Sequence, residues 1–140
     1  MKPVAKALLM IETTVCFAPA GVLLWLGLLM VPAEIYFLFT GPGDGSLTDL
    51  LTLLAWTAGG VAGVVALLNL LFWIVDRPSA FIGRYWTLAG AVAGSAALLP
   101  YTAGEVDSPW WRLVGLMPLA CSVHLMYLGR DFLFPDRPSG

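Results

Sequence analysis

Histidine occurs once in this chain, at His124, and cysteine twice, at Cys16 and Cys121, while charged residues make up only 11% of the sequence. A single histidine removes the paired-histidine metal motifs, and neither a glycine-rich phosphate loop before a helix nor a Ser-His-Asp arrangement is present. The glycines at 41, 43 and 45 surround Asp44, whose charge repels phosphate. No catalytic role is therefore expected. The six Lys and Arg outside position 112 form no dense cluster, which argues against nucleic-acid binding and against tight recognition of anionic lipid. Both cysteines fall inside or at the edge of apolar stretches, so they read as buried free thiols rather than as a staple between exposed loops.

What the chain has in excess is uncharged length. Residues 13–33, 50–75, 85–104 and 113–129 carry no formal charge, in runs of 21, 26, 20 and 17 residues. A bilayer core takes about 20 apolar residues per helix. With 59% hydrophobic residues, a chain of 140 could not hide its apolar surface in water. The basic residues fall at alternate junctions: Lys2 and Lys6 before the first run, Arg77 and Arg84 between the second and third, Arg130 and Arg137 after the fourth. The other two junctions hold Asp44, Asp49, Glu105 and Asp107, with Arg112 as their one cation. Lys and Arg stay on the cytoplasmic side. The pattern predicts an all-α integral membrane protein, a four-transmembrane-helix up-down bundle with both termini cytoplasmic, forming one domain over residues 1–140. Its compact, loop-poor style suggests a bacterial inner membrane.

The expected spans are 15–39, 47–75, 81–99 and 109–129, with a short cytoplasmic tail at 130–140. Apolar character from 4 to 39 would make a straight helix of about 54 Å, longer than the hydrocarbon slab of about 30 Å. Pro19 and Pro32 are the places expected to relieve that excess, leaving 3–17 as an interfacial or protruding start. Lys2, the following apolar stretch and Ala18-Pro19-Ala20 superficially resemble a signal peptide; Glu12 and Pro19 argue for a retained anchor instead. Ser46, with Asp49 three residues on, should cap the second helix, and Ser108 with Pro109 should start the fourth. The third should close at Leu99-Pro100. Asp76-Arg77-Pro78-Ser79 recurs as Asp136-Arg137-Pro138-Ser139, but the two halves do not otherwise align, and the echo reads as coincidence.

Gly59 and Gly63 in the second helix, and Gly90 and Gly94 in the third, form two pairs spaced four apart. Small residues at that spacing let helices approach closely where lipid removes the hydrophobic drive. These four are candidate helix-packing residues, for the hairpin itself or for a partner.

Ionisable and polar groups at membrane depth are costly and raise a functional question by default. Glu12, Asn69, Arg84 and His124 all fall near the cytoplasmic ends of their helices, so a shared intramembrane polar cluster is geometrically available. Glu34 and Arg112 lie near the opposite interface and are a candidate outer-leaflet ion pair. Met117, Cys121 and His124 share a face of the fourth helix at i, i+4 and i+7, with Cys16 and Met10 of the first helix as candidates to join them. Soft donors of this kind suit copper(I), yet no second histidine, cysteine pair or Met-rich loop accompanies them, so no metal and no cofactor are expected. The short connections leave no room for a domain outside the bilayer. The resulting reading is a non-catalytic membrane protein that works through intramembrane interactions, as an accessory subunit of a larger complex or as an immunity-type protein. Its partners would be the lipid bilayer and a membrane protein or a second copy. The alternative is a small oligomeric transporter or channel whose membrane carboxylates, Glu12 and Glu34, titrate along a path shared with His124.

Overall fold

The protein is seen here in a computed structural model that describes residues 3–40, 46–76, 80–102 and 109–134. Of these residues 93% are helical, and there is no strand among them. They form four long helices, α1 (Pro3–Thr40), α2 (Leu47–Val75), α3 (Arg84–Thr102) and α4 (Pro109–Leu128), followed by a short helix α5 (Arg130–Leu133). Two of them, α1 and α2, are long and apolar enough to cross a membrane. The glycine-rich segment 41–45, the connection at 103–108, which includes the Ser108 cap expected for the fourth helix, and residues 135–140 lie outside the described residues. So do Lys2, Arg77 and Arg137, which carry part of the charge asymmetry, and the Asp136-Arg137-Pro138-Ser139 echo.

The structure departs from the sequence reading in three places. The first is α1, a single helix of 38 residues that runs through Pro19 and Pro32, about 57 Å long at 1.5 Å per residue. Each proline forfeits one backbone bond to the carbonyl four residues earlier. Ala18, Ala20 and Ala33 beside them are strong helix formers, and the helix continues. Similarly, α3 carries on through Pro100 to Thr102, whose hydroxyl donates to the Leu99 carbonyl at 2.8 Å. The third difference is α5. At the start of the segment expected as a short cytoplasmic tail, Gly129 turns the chain, its amide donating to the Leu125 carbonyl at 2.8 Å. Leu133 then becomes buried, and Phe132 packs on Trp73 with ring centroids 5.4 Å apart.

The ends of α2 are set locally. The Ser46 hydroxyl accepts from the Thr48 amide at 3.2 Å, and Asp49 stands in the first turn, where the helix dipole favours a negative charge. At the other end the Asp76 amide donates to the Phe72 carbonyl. Hydroxyls along the helices are mostly satisfied one turn back: Thr13 donates to Leu9, Thr52 to Thr48 and Ser122 to Pro118. This is how a polar side chain sits in an apolar helix without an external partner.

The closest packing is between α2 and α3. A Cβ built on Gly63 would lie 2.6 Å from the Gly94 Cα, and one built on Gly90 would lie 2.7 Å from the Ala62 carbonyl oxygen. Gly59 approaches the Ala93 carbonyl in the same way. The four glycines are thus the surface on which these two helices meet. α1 packs against α2 and α4, and α4 against α3 and, less extensively, α2.

The packing is strongly uneven along the helices. The core cluster of Leu9, Leu67, Leu70, Leu71, Cys121, Leu125 and Leu133 gathers at the end that carries the α2–α3 connection, here the closed end. Within α1 only Leu9 and Thr13 are buried. Toward the end formed by Thr40 and Leu47, here the open end, the large side chains of α1 are exposed, with Trp25 at 68% and Phe39 at 80%. The total surface of 9227 Å² compares with about 7,000 Å² for a compact water-soluble protein of 15.0 kDa.

Candidate functional site

The polar residues near the closed end are held in separate, local sets of partners. Asn69 is fully buried on α2 and faces the start of α3. Its Nδ2 donates to the Thr87 hydroxyl at 2.8 Å and to the Ile82 carbonyl at 3.1 Å. Its Oδ1 accepts from the amides of Phe81 and Ile82 at 2.8 and 3.0 Å. The Thr87 hydroxyl in turn donates to the Gly83 carbonyl at 3.2 Å. One side chain thereby satisfies the otherwise orphaned backbone groups that precede α3 and fixes the angle between α2 and α3. Neither Thr87 nor this backbone role stood out in the sequence. A threonine one turn into a helix, opposite a buried asparagine, was the available signal.

Arg84 is not part of that set. Its Nη2 donates to the Tyr85 hydroxyl at 2.9 Å, and its guanidinium lies 4.8 Å from the Tyr85 ring centroid. Glu12 and His124 do meet, Oε1 to Nδ1 at 2.7 Å, joining α1 to α4. Both side chains are about two-fifths exposed (His124 44%, Glu12 41%). The four residues expected to form one cluster are therefore distributed over three sets, because Asn69 is turned toward α3 and His124 toward α1. Cys121 lies beside the Glu12–His124 contact, buried, and faces Thr13 and Cys16 across the same seam. Met117 is exposed on α4. Among the described residues no three His, Cys, Asp or Glu side chains are placed to hold a metal ion.

Glu34 and Arg112 are not brought together by an ion pair within 4.0 Å among the described residues. Register explains it. From the Glu12–His124 contact, Glu34 stands 22 residues further along α1 (34 − 12), and Arg112 stands 12 residues back along α4 (124 − 112). At 1.5 Å per residue these are about 33 and 18 Å, so α1 carries Glu34 well past Arg112.

Toward the open end the helices line a partly open cavity of about 100 Å³. Leu23 and Leu24 of α1, Trp56, Gly60 and Val64 of α2, and Ala97 of α3 line it, with two hydroxyl-bearing residues, Thr57 and Ser122. None of Glu12, Asn69, Arg84 and His124 reaches it. Comparison with protein-family models, with curated proteins and with solved structures finds no match for this chain.

Proposed function

We propose that this is a four-span integral membrane protein with both termini on the cytoplasmic side, most in keeping with a bacterial inner membrane. It works without catalysis, through contacts inside the bilayer, as an accessory subunit of a membrane complex or as an immunity-type protein that neutralises a membrane-active agent. The observation that carries this reading is the arrangement of the polar groups. A transport path needs its titratable and hydrogen-bonding side chains to share one water-reachable space. Here Asn69 is saturated by backbone and by Thr87, Arg84 lies against its own neighbour, and Glu12 meets His124. The one cavity described above has apolar walls apart from two hydroxyl-bearing residues. Polar groups used up in pairs stabilise helix contacts and leave the outer apolar faces as the surface that partners meet.

Three measurements test the reading. Accessibility tags near positions 45 and 105 should label from outside the cytoplasm, and the purified chain should need detergent to remain in solution. Mild solubilisation followed by copurification should yield a defined membrane-protein partner; recovery of the chain alone at every detergent strength would sink the subunit reading.

The transporter reading keeps one specific point in its favour, the partial exposure of the Glu12–His124 pair. In liposomes, Glu12→Gln and Glu34→Gln variants decide between the two. Proton-coupled uptake that is present in the wild type and lost in either variant would favour transport. Absent uptake in all three, or uptake that neither variant changes, would remove it.

A further inference from the structure

The two cysteines stand opposite each other on the seam where α1 meets α4, and register puts them there. Glu12 Oε1 meets His124 Nδ1 at 2.7 Å. The two helices run in opposite directions, since Leu9 near the start of α1 shares a cluster with Leu125 near the end of α4. Cys16 follows Glu12 by four residues and Cys121 precedes His124 by three, about one helical turn in each case. The thiols are therefore level with each other, one turn further along the seam. Packing agrees. Cys121 belongs to the core cluster and Cys16 packs against it, while Cys16, Glu12 and Thr13 are the side chains that act on the Cys121 thiol.

The spacing of packed helices suits a covalent bridge. Axes of helices in contact lie about 8–10 Å apart, and each Cα stands about 2.3 Å from its own axis. Facing Cα atoms are then about 5 Å apart, inside the range of about 4.4–6.8 Å that a disulfide spans. Both thiols are free in the structure. Their exposure differs: Cys121 is 2% exposed, whereas Cys16 is half-buried. The Glu12–His124 pair one turn away is two-fifths exposed, so a small molecule has an edge of the seam to enter by. A thiol as deep as Cys121 is out of reach of another protein's disulfide.

We propose that Cys16 and Cys121 form a redox site, which a hydroperoxide, ROOH, oxidises to a disulfide that fastens α1 to α4. Cys16, the more exposed, attacks the terminal peroxide oxygen. An S–O bond forms, the O–O bond breaks, and the thiol hydrogen leaves with the other oxygen as ROH, giving a sulfenic acid on Cys16. The Cys121 sulfur then attacks the Cys16 sulfur. An S–S bond forms, the S–O bond breaks, and the hydroxyl leaves with the Cys121 hydrogen as water. The two thiols together lose two electrons, and the peroxide gains two. The bridge matters because α1 is otherwise thinly held, with only Leu9 and Thr13 buried. It closes a loop of 105 residues (121 − 16), which restricts the unfolded chain.

The test exposes the purified full chain, in mild detergent, to hydrogen peroxide or to cumene hydroperoxide, a water-borne and a lipid-borne source. Free thiols, intact mass and peptide maps are followed. In wild type both thiols should disappear together, with a Cys16–Cys121 peptide and the mass loss of two hydrogens, all reversed by dithiothreitol. Success with one source alone supports the proposal and assigns the oxidant to that phase. Oxidation should raise the thermal midpoint by about 5–15 °C. Cys121→Ala, which removes the second thiol, should let dimedone trap the sulfenic acid on Cys16 several-fold more than in wild type, and Cys121→Ser serves if the alanine variant unfolds. Cys16→Ala should trap several-fold less than Cys121→Ala. Thiols that survive both peroxides, oxidation to sulfinic acid without a Cys16–Cys121 peptide, disulfides only between chains, an unmoved midpoint, or equal trapping in wild type and the Cys121 variants would each overturn the proposal.

Discussion

Replacing Asn69 with leucine removes one side chain of similar size and breaks four hydrogen bonds at once, two donated and two accepted. Interhelical hydrogen bonds in membrane proteins average about 0.6 kcal/mol, and intramolecular ones in general about 1 kcal/mol. Four of them give about 2–4 kcal/mol. The Phe81 and Ile82 amides lose their acceptor, and Phe81 lies at the surface, so water recovers part of the loss and the lower half of that range is expected. Thr87→Val removes only the 2.8 Å contact and the weaker bond to Gly83, and should cost about 1 kcal/mol. Reversible unfolding in mixed micelles reads both numbers. Hydrogen exchange at the Phe81 and Ile82 amides reads the cause, since both should lose protection in Asn69→Leu. If that variant unfolds within 0.5 kcal/mol of wild type, a window set by the error typical of such comparisons (about 0.3–0.5 kcal/mol), with those amides still protected, the asparagine does not hold the connection and the reasoning fails.

Other perturbations follow from the same geometry. Gly63→Ala drives a methyl into the Gly94 backbone, which cannot rotate away, and should destabilise by about 1–3 kcal/mol. Gly21→Ala meets nothing within 4 Å and should be neutral or stabilising by up to about 1 kcal/mol through helix propensity, so thermal unfolding of the two variants should separate in opposite directions. A double-mutant cycle of Glu12→Gln and His124→Gln should give a coupling of about 0.2–1 kcal/mol, because both side chains are two-fifths exposed and the attraction is screened. A coupling above 2 kcal/mol would place the pair in a far drier setting. Leu133→Ala should cost about 2–4 kcal/mol, measured by the same unfolding assay, if the short α5 is part of the core rather than a loose tail.

Helical architecture was legible in the sequence because uncharged runs of span length leave the backbone no other way to satisfy its bonds in lipid. The start of α2 at Ser46 and of α4 at Pro109 could be read from capping chemistry alone. The continuity of α1 could not. A proline's local penalty is visible in sequence, whereas the surrounding helix formers that outweigh it act over many residues. Of the four polar residues expected to share a cluster, Glu12 and His124 meet, whereas Asn69 and Arg84 take other partners. Depth counting placed Glu12 near His124, and the two meet. The same counting ignored which face of α2 Asn69 occupies, and so missed its turn toward α3 and Thr87. For Glu34 and Arg112 it measured each from its own helix end, although the helices do not begin level with one another. The role of Leu133 and α5 was hidden because four residues carry no periodicity to read.

Because the molecule is fastened at one end, its motions should be graded along its length. The cluster around Leu70 and Leu125, clamped by the Asn69 bonds, behaves like the stem of a tuning fork, while the far portion of α1 is a prong with little to hold it. Amide protection should therefore decline steadily from Leu9 toward Thr40. Bending is easiest where Pro19 interrupts the bonding ladder, just beyond the last anchored turn. The distal third of that helix can therefore shift without disturbing the stem.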